Sequence, residues 1–364
     1  MLRVDTPSLM LDIEKLTQNI KAMQAYSLQH HIALRPHIKT HKSVHIAKLQ
    51  LKHGAVGITV AKLSEAEVMA DAGIENIFIA YPISAPQKLK KLLHLTLQAN
   101  ITVAIDSIEQ ARMMNEFFQS SNQTVEVWIK VDSGLHRCGV TPGEEALSLA
   151  TFITSCSQLR LTGIFTHAGH SYAAKNTEEL LLIGEQEAKA VVESALLCEQ
   201  ANIPILHRSV GSTPTYQISG AVAGITEVRP GNAAFFDMVQ VGLGVATVEQ
   251  CALTVLASVV STKANRVIVD SGSKSLTSER GAHGNESIKG FGYIKEHPDL
   301  TIERLSEEHG IVTFSSPHTL QLNDTIEIIP NHACPVVNLF DSYFVHKNGE
   351  HIDTWPVDAR GCNK

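Results

Sequence analysis

The chain has 364 residues, a formal net charge of −7 and 44% hydrophobic residues, enough for two domains or one large barrel with an appendage. The mild acidity argues against nucleic acid as the main partner, because phosphate binding needs a basic face. The N-terminal MLRVDTPSLML lacks the layout of a signal peptide, no segment approaches the roughly 18 apolar residues of a membrane span, and the six scattered cysteines form no CxxC pair, so a cytoplasmic protein without a disulfide framework and without a membrane partner is expected.

In chain order, Leu16, Ile20 and Met23 place an apolar stripe on a first helix. Eight short β-branched runs follow. They are HIALRP (31–36), AVGITVA (55–61), NIFIAYP (76–82), ITVAID (101–106), VEVWIKVD (125–132), LTGIFTHAG (161–169), ILHRSVG (205–211) and GITEVRPG (224–231). Helix-like stretches such as KLSEAEVMADAG and NTEELLLIGEQEAKAVVESALL fill most of the intervals. Eight strands alternating with helices predict an α/β fold of the (β/α)8 TIM-barrel type over residues 11–240, with an open doubly wound sheet as the alternative. Polar and glycine residues collect where these strands finish, the face on which barrel enzymes place their active sites. Beyond residue 240 the runs LTVLASVVS, RVIVDSG, GIVTF and DTIEIIP have little helical period, so residues 241–364 are expected to form an additional β-rich domain. Residues 1–10 could join either domain.

RPHIKTHK (35–42) closes the first predicted strand. Read as extended chain, it points Arg35, His37, Lys39 and His41 to one side. A solvated strand edge would also explain such a cluster. However, a lysine among cations loses proton affinity and can act as a free amine that forms a Schiff base, with Lys39 in that role and Arg35, His37 and His41 as its tuners. SVGSTPT (209–215) and VRPGN (228–232) end strands seven and eight, where barrels often bind phosphate on backbone N–H groups; ordinary turns use the same residues. VDSGLHRCGV ends strand five, and its Arg137 could meet a ring nitrogen, a carboxylate or only a surface ion-pair partner. In PNHACP (330–335), His332 and Cys334 share a face of an extended segment and could bind one metal, zinc by ligand type or Mn²⁺ with further oxygen ligands. A buried structural cysteine is the plainer reading. His309, His167 and His170 are candidate additional ligands.

TPSLMLD, RPHIKTHK, VDSGLHRCGV, GHSY, GSTPT, EVRPGN, SEEHG and PNHACP, in this order from about residue 5 to about residue 345, resemble the D-threonine aldolase/D-serine dehydratase family of fold-type III, alanine-racemase-like pyridoxal phosphate (PLP) enzymes. The resemblance implies that Lys39 carries PLP and that Arg137 lies near the pyridine nitrogen. It further implies that Tyr172 contacts the cofactor, that Gly211, Ser212, Thr213, Gly231 and Asn232 bind its phosphate, and that His332 and Cys334 hold a divalent metal, zinc or manganese. It reverses the plainer reading of Cys334. Within the family, His-x-Cys is more typical of D-serine and 3-hydroxyaspartate dehydratases, and His-x-Asp of D-threonine aldolases. The implied function is a lyase acting on β-hydroxy-D-amino acids, first as a dehydratase giving a 2-oxo acid and ammonia. The alternatives are D-threonine aldolase, then amino-acid racemase, then a non-catalytic PLP-binding protein. A homodimer is implied as well.

Overall fold

The computed structural model describes residues 4–282, 285 and 288–364. All eight strands expected before residue 240 form, as Ala33–Leu34, Ile58–Val60, Asn76–Ile79, Asn100–Ile105, Val125–Lys130, Leu159–Phe165, His207–Val210 and Glu227–Val228. They pair in parallel, each with its sequence neighbour, and the last pairs with the first. A bridge between His37 and Thr59, with the Thr59 amide donating to the Pro36 carbonyl at 2.8 Å, closes the remaining gap between the first and second strands. The (β/α)8 barrel is therefore observed, and closure leaves no open strand edge.

Alternation along the strands turns Phe78, Ala104, Trp128 and Phe165 into the barrel, and Ile77, Ile79, Val103 and Val127 toward the surrounding helices. The interior is aromatic, with Phe78 edge-on to Phe165 at 4.8 Å. Two guanidinium groups flank it, Arg35 over Trp128 and Arg229 against Phe165 and Phe78. The leading helix Ile13–Gln29 buries Leu16, Ile20 and Met23 as its stripe predicts, and Asp12 caps it by accepting from the amides of Glu14 and Lys15.

A second, mixed sheet holds the β-rich part of the chain. The four expected strands are present, as Leu253–Lys263, Arg266–Val269, Gly310–Phe314 and Thr325–Ile329. Sequence periodicity missed Tyr293–Ile294, Leu300–Leu305, Ser342–Lys347 and Glu350–Pro356. The last of these is an exposed edge with no buried face, so its sequence EHIDTWP carries no alternation to detect. The N-terminal strand Ser8–Asp12 sits inside this sheet, antiparallel to Leu253–Lys263 and parallel to Ser342–Lys347. The C-terminal segment returns to the barrel, where the Ala359 amide donates to the Lys42 carbonyl at 2.9 Å and the Val44 amide to Asp358 at 2.7 Å. Among the described residues, no helix is long and apolar enough to cross a membrane.

Candidate active site

The basic stretch after the first strand does not continue as a strand. The strand ends at Leu34 and Ile38–Thr40 forms a 3-10 turn, with the Lys39 amide donating to His37 Nδ1 at 3.3 Å. The expectation that Arg35, His37, Lys39 and His41 share one face is therefore corrected: a tight turn rotates successive side chains in place of alternating them. Arg35 points into the barrel, bound to Glu227 at 2.8 Å and Asn76 at 2.6 Å. His41 is buried against Gln50 at 3.3 Å, and Lys42 forms a buried ion pair with Glu65 at 2.8 Å that ties this turn to the end of the second strand. Only His37 and Lys39 of these five basic groups reach the central cavity.

Burial, which penalises the charged form, pushes the His41 imidazole down to about 3. Its folded value lies below the ordinary 6.5, so the unfolded chain takes up a proton that the folded chain refuses. The contribution is complete above pH 6.5 and is lost as pH falls toward 3, at about 1.4 kcal/mol per pH unit. Urea unfolding between pH 7 and pH 5 is expected to show falling stability, with a shallower slope in His41→Asn.

At the C-terminal ends of the barrel strands lies a cavity of about 250 Å³. Lys39, Arg137, Tyr172, Gly211, Ser212, Thr213, Gly231, Asn232, His332 and Cys334 all line it, although they come from six separate stretches of chain. Burial lowers the Lys39 ammonium; Cys334 opposes the shift, while Arg137 and Lys130 add to it, and the net displacement is downward. The cationic neighbours of Lys39 thus come from strand five and its loop rather than from adjacent positions in RPHIKTHK, so Arg35, His37 and His41 are replaced as its tuners.

The loops after strands seven and eight lie side by side. The Arg229 amide donates to the Val210 carbonyl at 2.9 Å, and the Ala233 amide donates to Thr213 Oγ1 at 3.0 Å. Gly211 has φ +155°, and a Cβ there would stand 2.8 Å from the Arg229 backbone nitrogen. Buried Glu187 holds the first loop from behind, accepting from the amides of Gly211 at 3.0 Å and Ala168 at 3.2 Å and from Thr215 Oγ1 at 2.5 Å. The Tyr172 hydroxyl bonds Thr213, and burial pushes its pKa up. This cradle of small residues suits a phosphate group. Gly211→Ala is expected to separate the two loops and weaken PLP binding at least about tenfold, consistent with an overpacking cost of roughly 1–3 kcal/mol; titration by visible absorbance measures it.

On the opposite wall, His332 is extended and Cys334 lies in the first turn of the short helix Ala333–Val337. The expectation that His332 and Cys334 share a face of an extended segment is therefore corrected: a helical turn, not a strand, brings the two side chains together. Burial lowers His332, but Cys334 more than offsets it, and the imidazole lies well above its ordinary value. Burial raises Cys334, and His332 outweighs it, leaving the thiol below its ordinary value. Such an imidazolium–thiolate pair offers a divalent metal two soft donors in exchange for a proton. His332 Nδ1 meets Glu279 at 3.2 Å, and Thr40 Oγ1 lies 3.2 Å from Cys334 Sγ. Among the described residues, no group of three or more His, Cys, Asp or Glu could hold a metal. His309 is exposed in a turn of the outer sheet and does not reach the cavity, whereas His167 lines it.

Sequence reasoning missed Arg229 and Lys130 as cavity residues. Both sat in quoted motifs, VRPGN and VEVWIKVD, but local sequence does not say which strand-end side chains turn inward. Arg229 donates to Ser209 and to the Thr166 carbonyl, and burial lowers its pKa to about 10. His167 Nδ1 is 2.7 Å from the Gly211 carbonyl and therefore carries the proton, while its Nε2 is buried without a partner.

A closed barrel with a buried lysine, a phosphate-type cradle and an imidazole–thiolate pair around one cavity defines a PLP-type barrel enzyme. The family profile "Alanine racemase, N-terminal domain" matches residues 11–239, and "Putative serine dehydratase domain" matches residues 252–346. The chain is 33% identical over 371 residues to the D-threo-3-hydroxyaspartate dehydratase of Delftia sp. (strain HT23), covering 98% of this chain and 97% of that protein. It is also 33% identical over 368 residues to a D-threonine aldolase of Arthrobacter sp, covering 100% of this chain and 94% of the other. A cysteine-to-alanine variant of a D-threo-3-hydroxyaspartate dehydratase, solved in a metal-free form, superposes with a TM-score of 0.90 at 32% identity, over 97% of each chain. The chain belongs to the D-threonine aldolase/D-serine dehydratase family of alanine-racemase-like, PLP-dependent lyases.

Proposed function

We propose that this protein is a PLP- and divalent-metal-dependent dehydratase of β-hydroxy-D-amino acids, converting D-threo-3-hydroxyaspartate or D-serine to a 2-oxo acid and ammonia. The observation that carries the reading is the His332–Cys334 pair facing the same cavity as Lys39. Similarity to the Delftia dehydratase over nearly the whole chain supports it. Residues 11–240 form the cofactor-binding unit in this reading, and the β-rich part, residues 241–364, supplies the metal pair; the protein acts as a cytoplasmic homodimer.

Lys39 would hold the cofactor, with Gly211, Ser212, Thr213, Gly231 and Asn232 receiving its phosphate and Tyr172 and Arg137 meeting its ring. PLP, when bound, supplies an electron sink that acidifies the substrate Cα–H. The Lys39 amine, once the substrate amine has freed it and with its proton affinity lowered by burial, takes the α-proton. His332 and Cys334 would hold zinc or manganese, which would supply Lewis acidity for departure of the β-hydroxyl, a poor leaving group without it. His167, neutral because burial and the nearby Lys39 push its pKa well down, adds no further positive charge to a cavity already lined by Lys39, Lys130, Arg137 and Arg229.

The similarity to a D-threonine aldolase favours one second reading, cleavage to glycine and an aldehyde in the same cavity. Product analysis decides between them. Incubation with D-threo-3-hydroxyaspartate, D-serine and D-threonine is expected to release ammonia and a 2-oxo acid from at least one of the first two. Glycine plus aldehyde as the sole products would replace the dehydratase reading with the aldolase. Accumulation of the L-enantiomer alone would replace it with a racemase.

A further inference from the structure

Asp237 belongs to neither proposed ligand site, yet it touches the elements that build both. It is fully buried, at 0% exposure, just past the loop that follows the last barrel strand. Its Oδ2 accepts from Asn232 Nδ2 at 2.6 Å and from the Ala333 amide at 2.8 Å. Its Oδ1 caps the helix Met238–Gly242 by accepting from the Gln240 amide at 3.2 Å. Asn232 lines the cavity on the phosphate-cradle side, and Ala333 is the residue between His332 and Cys334. Two backbone bonds in the same place, from the Met238 amide to the Pro330 carbonyl and from the Val239 amide to the Asn331 carbonyl, both 3.1 Å, fasten the start of this helix to the strand that delivers the metal pair.

We infer that Asp237 is a positioning residue that couples the two sites, so that metal bound at His332 and Cys334 tightens PLP binding and PLP tightens metal binding by the same factor. One carboxylate oxygen is shared by two N–H donors, one on each ligand-bearing element. Fixing either donor restricts the carboxylate and through it the other donor. The first ligand to bind bears the ordering cost of both elements, and the second meets a site already in place. Reciprocity follows from linkage. The Asn232 side chain belongs to the same device: its nitrogen donates to Asp237 and also lies 4.0 Å from Cys334 Sγ, while its Oδ1 is buried without a protein partner and is open to a donor. An asparagine at position 237 can keep its one oxygen at the shared position and preserve the link, whereas an alanine removes both acceptors and cuts it.

The inference rests on the PLP-and-metal reading above, and its test separates the two. The full-length protein, stripped of PLP and metal, is titrated with PLP followed by visible absorbance, without zinc and with saturating zinc. Zinc affinity is measured in parallel against a chelating indicator, with and without PLP. Wild type is expected to bind each ligand on the order of tenfold more tightly when the other is present, about 1.4 kcal/mol of coupling. In Asp237→Ala both ligands are expected to bind, with the coupling factor near one. If that variant does not fold, hydrogen exchange of the wild-type Ala333 amide serves: PLP alone is expected to slow it, and an unchanged rate overturns the inference. Independent binding in wild type overturns the inference. So does full coupling retained in Asp237→Ala, which would assign the link to the direct Asn232–Cys334 and Thr40–Cys334 contacts. A protein that binds neither PLP nor zinc overturns the functional reading instead.

Discussion

Lys39→Ala is expected to abolish both the visible absorbance of lysine-bound PLP and turnover. Lys39 has two tasks in the proposed reaction, holding the cofactor and moving the α-proton. Loss of a positioned proton-transfer group alone lowers a rate by about 10²–10⁴-fold, and loss of attachment compounds it. No second residue can replace it. Lys130, the other cavity lysine, points its Nζ at Cys138 Sγ at 2.9 Å. Spectra with added PLP, before and after borohydride, measure attachment, and 2-oxo acid release measures turnover. Full activity in this variant would remove Lys39 from its assigned role. The buried, cation-flanked position predicts a further property in wild type. An amine must be unprotonated to react with an aldehyde, and the lowered Lys39 pKa makes that form more available near neutrality than in an ordinary lysine. PLP loading at pH 7 is expected to be correspondingly faster than for free lysine.

Removing the metal is expected to stop dehydration while sparing the earlier proton transfer. Lewis-acid assistance to a leaving hydroxide contributes several kcal/mol, and about 3–4 kcal/mol corresponds to on the order of 10²–10³ in rate. EDTA treatment, His332→Ala and Cys334→Ala are each expected to lower 2-oxo acid release by that factor. Exchange of the substrate α-proton with D2O, which needs Lys39 and not the pair, should continue. The two rates together locate the metal's step. Unchanged dehydration after verified metal removal would favour chemistry that ignores the β-hydroxyl, as in racemisation. Cys334→Ala and His332→Ala each leave the other group buried without its partner, so a stability measurement should accompany the kinetics.

The barrel was legible because its strands are short, β-branched and separated by helices; an open doubly wound sheet shares that local pattern, and the count of eight strands favoured the barrel. The strand Glu350–Pro356 was not, because an exposed edge strand has no buried face to impose a period, and Leu300–Leu305 buries only Leu300 and Ile302, too short an alternation to stand out. Site residues divided in a similar way. Lys39 and the glycine loops could be picked out by residue type and position, whereas the His332–Cys334 pair became a candidate metal pair only through the family resemblance. Arg229, Lys130 and Glu187 did not, since an arginine, a lysine or a glutamate at a strand end or on a helix is ordinary until its neighbours are known. Asp237 left no signal at all: a lone aspartate in FFDMVQ becomes informative only when Asn232 and Ala333 are seen to share its oxygen.

The sequence by itself determined the barrel, the β-rich remainder and the chemical types of the groups at issue, because hydrophobic period and residue chemistry are local properties. It misjudged RPHIKTHK, whose basic side chains looked like one electrostatic face. Only the tertiary structure decided where each of them goes: Arg35 into the barrel to Glu227, His41 to Gln50, Lys42 to Glu65, and Lys39 to the cavity. The physical reason is that a 3-10 turn replaces the strand, and each buried polar group must then find its own partner. It also decided that Lys39 takes its electrostatic setting from Cys334, Arg137 and Lys130, residues 295, 98 and 91 positions away in the chain, because pKa values follow distance in space.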